Sequence, residues 1–190
     1  MDHIQKAVQI LKDGGIVIFP TDTAFGIGCL AGNYKSMVRL FELRQRPLTQ
    51  PTPVLVSSLE MAKRYGDFSG KVISQFVEPF WPGALTLIVP AKSGENLLAQ
   101  NLEHVGLRFP NHKTTQAIIE GCGAAIFGPS ANFHGFPTPF AFDDLDPKLM
   151  ELVDYVVPGQ TNGIFKSSTI IDTTVEPMQI VRSGGVEVAL

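Results

Sequence analysis

The chain has 190 residues, 44% hydrophobic and 17% charged, with 18 glycines and 14 prolines, a balance that excludes disordered, fibrous and membrane-embedded classes. A chain of this length buries roughly 70% of the surface its unfolded form exposes, so its core needs no disulfide or metal staple. The formal net charge of −3 argues against a general nucleic-acid coat, which draws on an excess of lysine and arginine.

In chain order, Ile4, Ala7, Val8, Ile10 and Leu11 form a helical stripe that Gly14-Gly15 ends, predicting a helix over 3–13. Ile16-Val17-Ile18-Phe19, cut off by Pro20, predicts a fully buried strand. Helices follow at 34–43, 59–65, 71–77 and 114–120. Strands are expected at 54–56, 84–89, 105–109, 124–127, 155–157, 169–172 and 179–181. Strands alternating with helices and ending in a strand-rich tail predict an α/β fold: a twisted open sheet of mixed parallel and antiparallel strands flanked by helices. No repeat, low-complexity tract or charge run divides the chain, so 1–190 is expected to be one domain.

Residues 1–12 alternate polar and apolar and show neither an unbroken apolar core nor a cleavage site, so no export signal is expected. No run approaches the ~18 apolar residues of a spanning helix. Cys29 and Cys122 sit among small apolar residues and read as core thiols of a reducing compartment, which predicts a cytoplasmic protein without a membrane partner.

Polar and glycine-rich stretches recur after the apolar strands, at 20–28, 44–53, 128–139, 158–168 and 182–185. In an open α/β sheet such loops converge on one crevice, the usual place for a ligand. Gly26-Ile27-Gly28-Cys29-Leu30-Ala31 matches the dinucleotide fingerprint on paper, but residues 20–25 separate it from the strand that should lead directly into it. A Walker-type phosphate loop is absent from the sequence. Ser130 has Asn132 at the position where a nucleophile elbow requires glycine, so its hydroxyl is read as a ligand contact. The four histidines, His3, His104, His112 and His134, lack paired metal spacing. Arg44, Arg46, Arg108 and Arg182 each stand at a loop or strand end near proline or glycine. Taken singly they are surface arginines. Facing one crevice, they would require a ligand with several negative charges, since guanidinium forks match carboxylate and phosphate oxygens.

Seven blocks then carry a resemblance: Pro20-Thr21-Asp22-Thr23-Ala24-Phe25-Gly26-Ile27-Gly28; Arg44-Gln45-Arg46-Pro47; Trp81-Pro82-Gly83-Ala84-Leu85-Thr86; Gly106-Leu107-Arg108-Phe109-Pro110; Pro129-Ser130-Ala131-Asn132; Ser168-Thr169-Ile170-Ile171-Asp172; and Val181-Arg182. In this order they resemble the YrdC-like domain family of threonylcarbamoyl-AMP synthases, in its single-domain form. The resemblance implies an α/β twist around a large positively charged cavity. It also implies a reaction joining L-threonine, bicarbonate and ATP into threonylcarbamoyl-adenylate and pyrophosphate. The adenylate would pass to downstream transfer proteins that modify the adenosine beside the anticodon of certain tRNAs.

Carried over by position, Thr23 and Ser168 would hold threonine, Arg108 would pair its carboxylate, and the backbone at Gly128 would line its pocket. Arg46, Ser130, Asn132 and Arg182 would hold ATP, with Arg44, Gln50, His104 and Thr138 assisting. Arg44, Arg46, Ser130 and Asn132 are the expected catalytic set. Magnesium would ride on the ATP phosphates, because no close carboxylate cluster marks a dedicated cage. Against the family pattern, Arg44 replaces a lysine, Leu55 stands near the place of a threonine-contacting histidine, Ser167 replaces a glutamate and Phe25 a tyrosine. Two other functions compete: a double-stranded RNA- or tRNA-binding module of the same fold, and a carbamoyl-transfer enzyme using another acceptor; for the synthase itself only weak RNA binding is expected.

Overall fold

The computed structural model describes residues 2–48, 50, 52–92 and 103–190; Thr49 and Pro51, within the 44–53 loop singled out above, lie outside the described residues. The chain opens with α1 (His3–Lys12), then β1 (Val17–Pro20), β2 (Phe25–Gly28) and α2 (Tyr34–Leu43). Next come β3 (Val54–Leu55), α3 (Leu59–Tyr65) and a helical run made of α4 (Gly70–Val72), a π-helical stretch (Ile73–Val77) and α5 (Glu78–Phe80). After β4 (Leu85–Pro90) and β5 (His104–Arg108) come α6 (Lys113–Cys122), β6 (Ile126–Phe127), a 3-10 turn (Phe142–Asp144) and α7 (Pro147–Leu152). The tail is β7 (Tyr155–Val156), β8 (Thr169–Asp172) and β9 (Gln179–Arg182).

The mixed α/β architecture is as expected, and among the described residues its strands divide between two sheets. One has the order β2-β1-β7, the other β6-β3-β5-β4-β8-β9. Both mix directions: β1 runs antiparallel to β2 and parallel to β7, while β4 runs antiparallel to β5 and parallel to β8. The two sheets meet along β2. Gly26 bridges to Ser130 and Leu30 to Ile126, and Ile27 N–H donates to the Pro129 carbonyl at 2.9 Å. Gly28 permits this approach, because a Cβ there would stand 2.0 Å from the Phe127 carbonyl oxygen.

The continuous apolar run Val17–Phe19 is buried on both faces, as a strand between two layers requires. One face contributes Val17 and Phe19 to a cluster with Ala7 and Leu11 of α1 and Ile118 and Ile119 of α6. The other contributes Ile18 to the larger core of Phe25, Leu40, Phe76, Leu85 and Leu107. The helix expected over 71–77 extends beyond that range at both ends; Ser69 opens it by accepting a hydrogen bond from Val72 N–H at 3.2 Å. The strand expected over 124–127 shortens to Ile126–Phe127.

Candidate active site

β1 and β2 are joined by a four-residue turn built around one hydroxyl. Thr21 Oγ1 accepts from the Thr23 and Ala24 amides at 3.1 and 3.2 Å and donates to the Ala24 carbonyl at 2.7 Å. This side-chain mimicry of a backbone turn fixes Thr21 and Thr23 at the wall of an open cavity of about 720 Å³, mouth included. Gly128, Ser130 and Thr138 line it from the loop after β6, and Ser167 and Ser168 from the approach to β8. Three arginines, Arg46, Arg108 and Arg182, line it as well, and no carboxylate does among the described residues.

Arg108 closes β5 and is 7% exposed. Its Nε donates to the Gly83 carbonyl at 3.2 Å and its Nη2 to Asp22 Oδ1, so two elements far apart in sequence fix one guanidinium. Burial lowers the pKa of Arg108, while Asp22 opposes that shift. Arg182 at the end of β9 donates from Nη2 to the Ser168 carbonyl at 2.8 Å and to Ser168 Oγ at 3.0 Å. Its pKa is also lowered, first by burial and then by the like charge of Arg108, which places two cations at one end of the cavity. Ser168 Oγ additionally shares a 2.8 Å hydrogen bond with Thr86 Oγ1. Thr86 lines the cavity beside Arg108, its partner in the strand register, and is a site residue that sequence reasoning missed. Its only advance signal was its place in the Trp81–Thr86 block.

Arg44 and Arg46 part company at Gln45. Helix α2 ends in a paired motif: Gln45 N–H donates to the Glu42 carbonyl and Arg46 N–H to the Phe41 carbonyl, both at 2.9 Å, with Gln45 left-handed at φ 54°. The left-handed residue reverses the chain, so the two guanidinium groups serve different neighbours. Arg46 lines the cavity. Arg44 is 3% exposed and lies behind the lining, where its Nε donates to the Asn132 carbonyl at 3.0 Å and its Nη2 to Asn132 Oδ1 at 3.2 Å. Burial, then the nearby Arg46, lowers the Arg44 pKa to about 10, which leaves it charged at neutral pH. Asn132 Oδ1 also accepts from Ser130 Oγ at 2.6 Å, so Arg44, Asn132 and Ser130 form one chain leading to the cavity.

Eight of the twelve residues singled out in the sequence therefore share one lining: Thr23, Arg46, Arg108, Gly128, Ser130, Thr138, Ser168 and Arg182. Arg44 and Asn132 stand directly behind it. Half-buried Gln50 lies outside the lining on the Arg46 loop. His104 is exposed at the start of β5, four residues and so about 13 Å along the strand from Arg108. Leu55 is buried against Gly128, where a Cβ would meet Leu55 Cδ1 at 2.3 Å, so this position is apolar packing beneath the cavity loop.

Among the described residues, no group of three or more histidine, cysteine or acidic side chains could hold a metal ion, and no helix is long and apolar enough to cross a membrane. Both cysteines are free thiols; burial pushes Cys29 up to about 12 and Cys122 to about 11, so neither is an activated nucleophile.

The chain is 31% identical to the threonylcarbamoyl-AMP synthase of Bacillus subtilis, over 97% of this chain and 54% of that protein. A similar enzyme of Vibrio parahaemolyticus is 28% identical over 97% of this chain and its own full length. Among solved structures, Pyrococcus abyssi Sua5 complexed with L-threonine superposes with a TM-score of 0.88 at 28% identity, covering 98% of this chain and 56% of that one. The chain thus spans about half the length of the first two curated relatives it matches. A family model named for Sua5, YciO and YrdC, and described as telomere recombination, matches residues 9–184. With its seven sequence blocks gathered on or around one cavity and that model spanning nearly all of its length, the chain belongs to the Sua5/YciO/YrdC family.

Proposed function

We propose that this chain is an L-threonylcarbamoyladenylate synthase, a nucleotidyltransferase that forms threonylcarbamoyl-AMP and pyrophosphate from L-threonine, bicarbonate and ATP. The observation that carries this reading is a cavity that, among the described residues, is lined by three arginines, several hydroxyls and no carboxylate, which suits a carboxylate, a carbamate and a triphosphate together. The names of the related enzymes support it. In this reading the chain is one YrdC-like domain over 1–190, resides in the cytoplasm, and supplies its adenylate to tRNA threonylcarbamoyl-transfer proteins.

The threonine nitrogen, once carboxylated, presents a carbamate oxygen that attacks the α-phosphorus in line with departing pyrophosphate. The protein positions the reactants and stabilises charge, and no side chain need form a covalent intermediate. Arg108, Thr23, Ser168 and the Gly128 backbone would hold threonine. Arg46, Ser130 and Arg182 would hold the phosphates with Thr138 nearby, Arg44 and Asn132 would act from behind, and Gln50 and His104 remain assigned to ATP through the resemblance. Among the described residues no carboxylate lines the cavity, so those residues do not fit a protein-held magnesium ion; in this reading magnesium enters as the counter-ion of ATP.

Incubation with radiolabelled bicarbonate tests the reading. Pyrophosphate release should require threonine and bicarbonate together, and equal release with threonine omitted would overturn it. Serine should react more weakly, by the ~1–3 kcal/mol that one methyl group discriminates. Ser168→Ala should raise the threonine requirement by about tenfold, the worth of one hydroxyl that both Arg182 and Thr86 orient, and leave the ATP requirement near wild type. A change confined to the ATP requirement would move Ser168 out of the threonine subsite.

A further inference from the structure

One acidic side chain lies behind the lining of this arginine-lined cavity, paired with one of the arginines that line it. Asp22 is 1% exposed and lies between Thr21 and Thr23, which do line it. Its Oδ1 accepts from Arg108 Nη2, while Oδ2 is buried and has no hydrogen-bond partner among the described residues. A buried carboxylate oxygen without a donor is unfavourable, and an ion pair removed from water contributes little stability that apolar packing could not match. Such an atom in a native structure calls for a reason beyond folding.

The surrounding charges suggest one. Arg108 is clamped at Nε by Gly83 and at Nη2 by Asp22, and its Nη1 makes no hydrogen bond among the described residues. Arg182 is close enough that the like charge of Arg108, after burial, helps to lower the Arg182 pKa. Two cations and one anion therefore occupy this end of the cavity. A ligand carrying a carboxylate alone would be drawn to the arginines but would meet Asp22 as a like charge. An α-amino acid carries its carboxylate and its ammonium on one carbon, so it can oppose each protein charge with the opposite sign.

We propose that Asp22 makes the Arg108 subsite selective for a zwitterionic α-amino acid over a simple carboxylate, the charge of its buried, unpartnered oxygen acting through the cavity wall on the ligand ammonium. This rests on the reading that Arg108 takes the carboxylate of threonine. Asp22 acts as a specificity determinant: it attracts the ammonium and repels ligands that lack one.

Titration calorimetry without ATP tests the proposal, using L-threonine and the 2,3-dihydroxybutanoate of matching configuration, in which a hydroxyl replaces the ammonium. Wild type should bind threonine at least tenfold more tightly than the hydroxy acid. Asp22→Asn, nearly isosteric and checked for folding by circular dichroism, should lower that ratio at least fivefold, chiefly by improving hydroxy-acid binding. An unchanged ratio in the variant overturns the proposal. Equal binding of the two ligands by wild type overturns it too, and does so even if the variant fails to fold. Failure of wild type to bind threonine at millimolar concentration would instead overturn the Arg108 assignment beneath it.

Discussion

Arg108→Ala is expected to lower stability by about 3–5 kcal/mol and to abolish measurable use of threonine. The stability loss arises less from the lost attraction than from what stays behind. Asp22 is 1% exposed with its Oδ2 already unpartnered, and removing Arg108 leaves that carboxylate buried with no counter-charge. Chemical denaturation of the two single variants and the double variant separates these contributions. Adding Asp22→Asn to Arg108→Ala should restore about 1–2 kcal/mol, because the stranded charge disappears with it. An Arg108→Ala protein as stable as wild type would show that the pair is hydrated and that the turn at 21–24 holds itself.

Arg44→Ala should cost about 3 kcal/mol, read mainly as a rise of about a hundredfold in the ATP requirement. The side chain does not line the cavity; it fixes Asn132 through the backbone carbonyl and Oδ1 at once, and Asn132 Oδ1 in turn accepts from Ser130 Oγ. Losing the fork would release the segment whose serine lines the cavity. From the sequence alone, the family's usual lysine at this place suggests that Arg44→Lys keeps most activity. The structure alters that expectation, because an ammonium cannot reproduce a guanidinium bonded to two acceptors of one residue. Arg44→Lys should recover less than half of the loss in free energy. Full activity of Arg44→Lys, measured across ATP concentration, would restore the view of Arg44 as a simple positive charge.

Much of this was legible in the sequence, and the exceptions have physical causes. The amphipathic helices α1, α2 and α3 follow their apolar spacing closely. Strand β2 was hidden because Phe25-Gly26-Ile27-Gly28 alternates with glycine, which disfavours strands in isolation and imitates a phosphate-binding fingerprint. In the fold those glycines serve contact: a Cβ at Gly26 would press on the Phe19 ring at 2.9 Å, and one at Gly28 on the Phe127 carbonyl. Helix α7, six residues long, is too short to show a period. Within the site, gathering arginines at loop and strand ends was readable. That Arg44 and Arg46 would diverge was not, because it depends on a left-handed Gln45 that composition does not announce.

The seam along β2 also limits how the protein can move around a ligand. Phe25 N–H donates to the Pro139 carbonyl, Ile27 N–H to that of Pro129, and Ala131 N–H returns to Phe25, at 2.9, 2.9 and 2.8 Å. These backbone bonds stitch the loop that carries Ser130 to the three-stranded sheet, while Gly128 N–H donates to the Pro53 carbonyl beside β3 of the other sheet at 3.0 Å. Two layers riveted in this way have no hinge line between them, so the molecule does not work as a pair of jaws. On the proposed reading, excluding water from the reaction falls to loop segments outside these bonds rather than to a hinge between the sheets. In that reading the cavity keeps its backbone frame while ligands enter and leave.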